Sequence, residues 1–182
     1  KVVVSGAGNV GLYAVEMAQK LGATVVAVND ISGCVYNEKG INFELLKEIK
    51  EEKRLLVKDY AQLDKEAKFT ENPKDLWRVK CDIVLPCATQ NEINLDDAKN
   101  LKKNGCYMVV EGANMPTELD ALRYFNANEI LFAPGKASNA GGVAVSGLEM
   151  TQNAMHLNWT YEEVDAKLEE IMKNIYSKKP KK

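Results

Sequence analysis

The sequence predicts an α/β fold, a doubly wound and mostly parallel sheet that ends in helices. Three observations predict it. The chain opens on consecutive valines, Val2-Val3-Val4. Short apolar runs then alternate with longer amphipathic stretches, and the last two helical stretches have no strand between them. An uninterrupted apolar strand is buried on both faces, as in a parallel sheet wrapped by helices. A chain of 182 residues with 46% hydrophobic and 27% charged content has the make-up of one globular domain. The expected organisation is a domain over residues 1–176 followed by a basic tail over 177–182, where lysines surround Pro180.

Taken in order, Lys1 to Ser5 is the first strand, and Val10 to Leu21 has helical spacing that Gly22 ends. A second strand is expected over Thr24 to Val28 and a helix over Phe43 to Leu56. The segment from Lys58 to Lys80 is polar and interrupted by Asn72-Pro73. It predicts a short helix, a brief strand at Lys68 to Thr70, and a loop carrying Trp77. Later strands are expected at Asp82 to Leu85, Tyr107 to Val110 and Ile130 to Phe132, with helices at Leu95 to Lys103 and Glu118 to Asn126. The closing helices span Gly142 to Met155 and Tyr161 to Tyr176.

Composition argues against several function classes. The formal charge of -2 comes from mixed signs with no basic stripe, so the footprint of a nucleic-acid binder is missing. No apolar run approaches the roughly 20 residues that span a bilayer, and no secretory leader is visible. Cys34, Cys81, Cys87 and Cys106 lack C-x-x-C spacing, and His156 is the one histidine, expected at a solvated helix end. Reduced core thiols of a cytoplasmic protein are expected, with no metal site and no histidine-based nucleophile.

Gly6-Ala7-Gly8-Asn9-Val10-Gly11 is a G-x-G-x-x-G that follows a strand and opens a helix. In such a loop Gly6 permits the tight turn, Gly8 lets the backbone approach a pyrophosphate, and Gly11 allows the helix to pack closely on the strand. Asp30 stands nineteen residues beyond Gly11, where a ribose-binding acid belongs. Strand, loop, helix, strand and acid together predict a Rossmann-like dinucleotide site, with Gly8 facing a cleft and the valine strand at the sheet's centre. The spacing of Asp30 by itself favours NAD, because a carboxylate suits a ribose 2'-hydroxyl. Asp30 in Asn29-Asp30-Ile31-Ser32-Gly33 also has the composition of an ordinary turn.

Three further loops follow successive strands: Pro86-Cys87-Ala88-Thr89-Gln90-Asn91-Glu92, Glu111-Gly112-Ala113-Asn114-Met115-Pro116, and Pro134 through Gly142. A doubly wound sheet places its ligand crevice at these strand ends. Each loop sets small residues beside an amide or hydroxyl, which suits a flat ring lying close to the backbone.

These strings together resemble the coenzyme domain of hexameric glutamate dehydrogenases, over nearly the whole chain. Most specific are Pro86 to Glu92, Glu111 to Pro116, and Asn139 through Met150 followed by Gln152-Asn153. Leucine, valine and phenylalanine dehydrogenases share the general fold but lack this combination. The resemblance implies that Asn9 and Val10 lie on the pyrophosphate and that Ala88, Thr89 and Gln90 run along the nicotinamide ribose. Asn114, with Gly112 in the same loop, meets that end of the coenzyme, and Asn139 sits near the carboxamide and the substrate. Val143 and Ser146 complete the glutamate pocket, Ser146 bonding the side-chain carboxylate. Asp30-Ile31-Ser32-Gly33 resembles the Asp-Ser-x-Gly loop of NADP-using members, with Ile31 departing from the pattern. In that reading Ser32 donates to a 2'-phosphate and Lys50 neutralises it. The resemblance therefore favours NADP, with NAD as the alternative.

The implied reaction is reversible oxidative deamination of L-glutamate to 2-oxoglutarate and ammonia, with hydride passing to the nicotinamide. In the family, a lysine and an aspartate of the substrate domain move the protons, and no segment here resembles that domain. No catalytic residue is therefore expected in this chain, which binds coenzyme but does not turn over glutamate by itself. The full-length protein is expected to be a hexamer. Two other functions remain open: another amino-acid dehydrogenase, and a non-catalytic module in which a bound NAD(P) switches a partner.

Overall fold

The computed structural model describes residues 1–177, which fall into two compact units divided between Pro134 and Gly135. The expected basic tail, apart from Ser177, lies outside the described residues. Each unit is described by itself.

The first unit, Lys1–Pro134, runs β1 (Val2–Ser5), α1 (Asn9–Lys20), β2 (Val25–Asp30), β3 (Gly33–Tyr36), α2 (Phe43–Lys47), α3 (Val57–Leu63) and β4 (Lys68–Thr70). It continues with β5 (Ile83–Pro86), α4 (Leu95–Lys103), β6 (Met108–Val110), α5 (Leu119–Ala127) and β7 (Leu131–Ala133). The strands form one seven-stranded sheet in the order β4-β3-β2-β1-β5-β6-β7. The valine strand is thus central, parallel to β2 on one side and to β5 on the other, with Val4 opposite both Val28 and Leu85. Its alternate residues enter two cores: Val3 joins Trp77, Ile93 and Phe125, while Val2 and Val4 join Leu12, Val15, Leu46 and Tyr60. Helices cover both faces, so each buried valine contributes about 1.5–3 kcal/mol of apolar transfer free energy. The chain leaves β1 on one side for β2 and resumes on the other at β5. This reversal opens a crevice at the carboxyl ends of the strands.

Strand boundaries agree with the sequence expectation to within two residues, and α4 agrees at both ends. Asn94 caps α4 by accepting from the amides of Asp96 and Asp97, while the Asp97 carboxylate accepts from the Asn94 amide, a reciprocal capping box. Three places depart from expectation. Residues after Gly33 form β3, an unexpected strand antiparallel to β2, with Asp30 opposite Gly33 and Ile31-Ser32 at the hairpin tip. Four residues are too few to display alternation. Gly33 sits at φ +148°, and a Cβ there would lie 2.1 Å from the Thr70 carbonyl oxygen.

The helix expected over Phe43 to Leu56 is broken. Asn42 caps α2, a π turn follows over Glu48–Glu52 with the Lys53 amide donating to Glu48 O at 2.9 Å, and Arg54 reverses the chain at φ +53°. Leu46 and Ile49 remain buried through the wider turn, and Lys50 is brought to the end of β2. Third, the loop expected around Trp77 is a 3-10 helix, Pro73–Arg78, capped by Asn72 accepting from the Lys74 amide. It holds Leu76 and Trp77 in the core.

The second unit holds α6 (Gly135–Ser138), α7 (Ala140–Ala154) and α8 (Tyr161–Ser177), with no strand between the last two, as expected. The segment read as a loop up to Gly142 is largely helical, and α7 begins two residues earlier than predicted. Small residues permit this, and Gly141 lies 3.8 Å from Leu168 across the helix pair when given a Cβ. α7 ends at Ala154 with Met155 as its C-cap, and exposed His156 adopts φ +54° beyond it. Thr160 and Glu163 form a capping box that starts α8, and the Lys167 ammonium lies 4.8 Å from the Trp159 ring centroid. Among the described residues no helix is long and apolar enough to cross a membrane.

Candidate functional site

At the carboxyl end of β1 the chain turns through Gly6 at φ +79° into α1. The three glycines occupy three different environments. A Cβ on Gly6 would lie 2.8 Å from the Ala88 Cα, and one on Gly11 would lie 1.7 Å from the Gly6 carbonyl oxygen. Gly8 is the opposite case, since a Cβ there would meet no protein atom within 4 Å. Gly8 lines a cleft of about 440 Å³, together with Gly6, Ala7, Asn29, Asp30 and Ile31 on one side and Pro73, Lys74, Trp77, Ala88, Thr89 and Glu92 on the other. It is also the N-cap of α1, with no side chain capping the helix and no acid in its first turn. The first amides of a helix lack intrahelical acceptors and carry the positive end of its dipole, so this terminus suits an anion. Asn9 and Val10 are exposed at it.

Buried side chains that the sequence reading did not single out hold this loop. The Asn29 Oδ1 accepts the Gly6 amide at 2.8 Å, and its Nδ2 donates to Pro73 O at 2.9 Å, tying the turn after β1 to the 3-10 helix across the cleft. Ser5 donates its hydroxyl to Glu92 Oε1 at 2.8 Å and accepts from the amide of Cys87 at 2.8 Å. Glu92 also accepts the Ala88 amide at 3.2 Å. Burial raises the Glu92 carboxyl above its ordinary value, against the lowering effect of its Ser5, Ala88 and Thr89 hydrogen bonds and of the Lys74 charge. Lys74 itself pairs with the Asp97 carboxylate at 2.9 Å. Trp77 supplies an aromatic wall. An Asn at the end of β2 and a Ser at the end of β1 are readable as strand-end polars, but their partners lie on distant segments.

Asp30, which lines the same cleft, is joined there by Ser32 and Lys50. Asp30 Oδ1 accepts the Ser32 amide at 2.8 Å and its hydroxyl at 2.6 Å; Oδ2 accepts Lys50 Nζ at 2.8 Å and the Val57 amide at 2.9 Å. Side-chain exposure is 14% for Lys50 and 10% for Asp30, so the pair is largely withdrawn from water. Burial pushes the Asp30 carboxyl upward, but the Lys50 ammonium, Ser32 and the Val57 amide together hold it below the usual carboxylate range. Each carboxylate oxygen already has two donors. The π turn that breaks the expected helix delivers one of them and the start of α3 another.

The loops after β5 and β6 lie side by side. Gly112 and Ala113 both donate their amides to Pro86 O at 2.9 Å, and the Asn91 amide donates to Met115 O at 3.0 Å. A Cβ on Gly112 would lie 2.5 Å from the Cys87 sulfur and 3.3 Å from Val10, so this glycine lets the loop pack on the start of α1. Ala88, Thr89, Gln90 and Asn114 are exposed along these loops. Asn139, Val143 and Ser146 belong to the helical unit. Asn139 is the N-cap residue of α7, Val143 is 78% exposed, and the Ser146 hydroxyl donates back to Gly142 O at 3.2 Å, as a helical serine does.

Comparison with known proteins agrees with this arrangement. The sequence model of the glutamate/leucine/phenylalanine/valine dehydrogenase family matches residues 1–181. The chain is 52% identical to the NADP-specific glutamate dehydrogenase of Haemophilus influenzae over 179 residues, covering 97% of this chain and 39% of that protein. It is 47% identical to the NAD-specific glutamate dehydrogenase of Porphyromonas gingivalis, covering 96% of this chain and 40% of that protein. The crystal structure of Plasmodium falciparum glutamate dehydrogenase superimposes with a TM-score of 0.90 at 48% identity, over 96% of this chain and 38% of that one. The chain thus spans about two fifths of the length of these relatives. With the central strand, the glycine turn and the strand-end loops all in place and residues 1–181 matching the family model, the chain belongs to the glutamate/leucine/phenylalanine/valine dehydrogenase family.

Proposed function

We propose that the cleft at the carboxyl edge of the sheet binds a nicotinamide dinucleotide, and that the chain is the coenzyme-binding domain of a glutamate dehydrogenase. The observation that carries this reading is Gly8, a helix-capping residue whose missing side chain leaves open space in front of unpaired helix amides. When bound, the nicotinamide supplies hydride acceptance from the α-carbon of L-glutamate, giving 2-oxoglutarate and ammonia after hydrolysis of the imine. The residues of this chain position: Gly6 to Gly11 take the pyrophosphate, and the Ala88 to Gln90 and Gly112 to Asn114 loops take the nicotinamide end. Asn139, Val143 and Ser146 complete the glutamate pocket in the full-length protein, a hexamer. By itself the chain binds coenzyme without turning over glutamate.

Geometry at Asp30 supports NADP over NAD. The carboxylate has its acceptor capacity taken by four donors, and Lys50 offsets its charge. It is therefore a poor acceptor for a ribose 2'-hydroxyl. A 2'-phosphate would meet the Lys50 ammonium, which keeps further donors. The test is parallel titration with NADPH and NADH, followed by nicotinamide fluorescence, on the native chain and on Lys50→Ala. Saturable binding with NADPH preferred, and an approximately tenfold loss confined to NADPH in the variant, is expected for one charge-assisted contact. Failure of both coenzymes to bind overturns the dinucleotide reading, and equal losses for the two overturn the choice of NADP.

A further inference from the structure

A second group of reactive side chains lies at the opposite edge of the sheet from the cleft. Cys81 precedes β5 by two residues and Cys106 precedes β6 by two. Ile83 is opposite Met108 in this parallel pair, and the Tyr107 amide donates to Asp82 O at 3.0 Å. Carried back two residues, the same register sets Cys81 opposite Cys106. Neighbouring strands lie about 4.7–4.9 Å apart, inside the roughly 4.4–6.8 Å Cα separation that a disulfide spans. Both side chains belong to one core cluster, hence one face, and both are 2% exposed. The Cys106 thiol donates to Met108 O at 3.3 Å. Pairing with Cys81 holds the Cys106 thiol below its ordinary value, with help from the Lys102 charge, while the same pairing and burial raise Cys81. Gly105 and Tyr107, on either side of Cys106, are exposed.

We propose that Cys81 and Cys106 form a redox-modifiable dithiol that closes to an intramolecular disulfide in exchange with a low-molecular-weight disulfide such as oxidised glutathione. Cys106 gives its proton to solvent and, as thiolate, attacks one sulfur of the small disulfide, whose S–S bond breaks and releases one glutathione thiolate that takes up a proton from solvent. Cys81 then loses its proton to solvent and attacks the Cys106 sulfur of the mixed disulfide, expelling the second glutathione. Two protein thiols are oxidised by two electrons, and one glutathione disulfide is reduced to two thiols. Cys34 and Cys87 provide internal controls, because Cys34 stands opposite Asn29 and Thr70 and the Cys87 sulfur packs against Gly112, so neither has a second thiol across the sheet.

The test incubates the reduced native chain with oxidised glutathione, blocks remaining thiols with an alkylating agent after denaturation, and maps peptides by mass spectrometry. The expected result is loss of two alkylatable thiols out of four and a single crosslinked peptide pair containing Cys81 and Cys106. Cys81→Ser should trap a stable glutathione adduct on Cys106, whereas Cys106→Ser should leave Cys81 at least about tenfold slower to react. Four free thiols after prolonged exposure, or a crosslink involving Cys34 or Cys87, overturns the site. Equal adduct formation in the two serine variants overturns the assignment of Cys106 as the attacking sulfur.

Discussion

Replacing Gly8 by alanine separates the two things that glycines do in the turn after β1. The residue sits at φ -86° and ψ -171°, a conformation open to alanine. Its new Cβ would meet no protein atom within 4 Å. Folding therefore gains from the reduced freedom of the unfolded chain, about 0.4–1 kcal/mol, or a rise of about 1–4 °C in Tm for a chain of this size. The same methyl group stands in the space through which a pyrophosphate reaches the amides of α1, so dinucleotide affinity should fall by about 10- to 100-fold, or about 1.4–2.8 kcal/mol. Gly11→Ala provides the contrast. Its Cβ would lie 1.7 Å from the Gly6 carbonyl oxygen and 2.7 Å from the Gly6 carbon, both main-chain atoms that cannot rotate away. Overpacking against main chain belongs at the upper end of about 1–3 kcal/mol, and the helix-propensity gain of alanine over glycine, about 1 kcal/mol, offsets only part of it. A net loss near 2 kcal/mol lowers Tm by about 4–8 °C. Thermal unfolding by circular dichroism and NADPH titration on both variants decide the matter. Gly8→Ala with native NADPH affinity, or with a Tm several degrees below the native value, would refute the assignment of Gly8 to the ligand side of the turn.

Asn29→Ala removes the acceptor of the Gly6 amide and the donor to Pro73 O, both 2.8–2.9 Å bonds of a buried side chain. It should cost about 1–3 kcal/mol in denaturant unfolding and weaken NADPH, and a variant as stable as the native chain counts against this latch. Lys50→Met leaves the Asp30 carboxylate with three hydrogen-bond donors and no countercharge. Full burial would make the loss about 3–5 kcal/mol, and the residual exposure of both partners reduces it to about 2–3 kcal/mol. Because Asp30 is held below the usual carboxylate range, its contribution is complete above the unfolded value near 3.9 and disappears as pH falls through the depressed folded value. Acid unfolding should therefore show a smaller proton uptake at low pH in Lys50→Met, and superimposable native and variant pH profiles would exclude the pair as the cause. Glu92 has the opposite sign: its raised carboxyl adds stability below the unfolded value near 4.3 that is lost as pH rises through the folded value. Glu92→Gln keeps an acceptor for Ser5 and Ala88 without the charge. It should match or exceed native Tm at pH 7, with a flatter Tm-against-pH curve, and a large Tm drop at pH 7 would show that the charge itself is needed.

Much of the fold was legible because the strongest local signals coincide with the deepest burial. The valines of β1, the glycines after it and the span of α4 each satisfy a constraint within a few residues of chain, and local sequence patterns report such constraints directly. β3 was not legible, since a four-residue strand is defined by its partner, Asp30 facing Gly33, and not by its own alternation. The break between Lys47 and Val57 has the same origin. Residues that would extend an α-helix on propensity instead form a π turn, with Lys50 and the Val57 amide both bonded to Asp30. Helix propensity differs by less than about 1 kcal/mol per residue, so a buried ion pair and two cores can override it.

The candidate site divides along the same line. By itself the sequence determined that a glycine turn joins the central strand to a helix and that an acid, a serine and small polar loops stand at the strand ends. Only the tertiary structure decided what those groups face: Asp30 turned into an ion pair with Lys50, Asn29 reaching across to Pro73, Ser5 and Glu92 holding the Ala88 amide, and Cys81 set beside Cys106. The physical reason is range. Backbone sterics and helix capping act over a few residues and are written in local order, whereas hydrogen bonds and ion pairs between segments tens of residues apart exist only once the sheet has chosen its strand order.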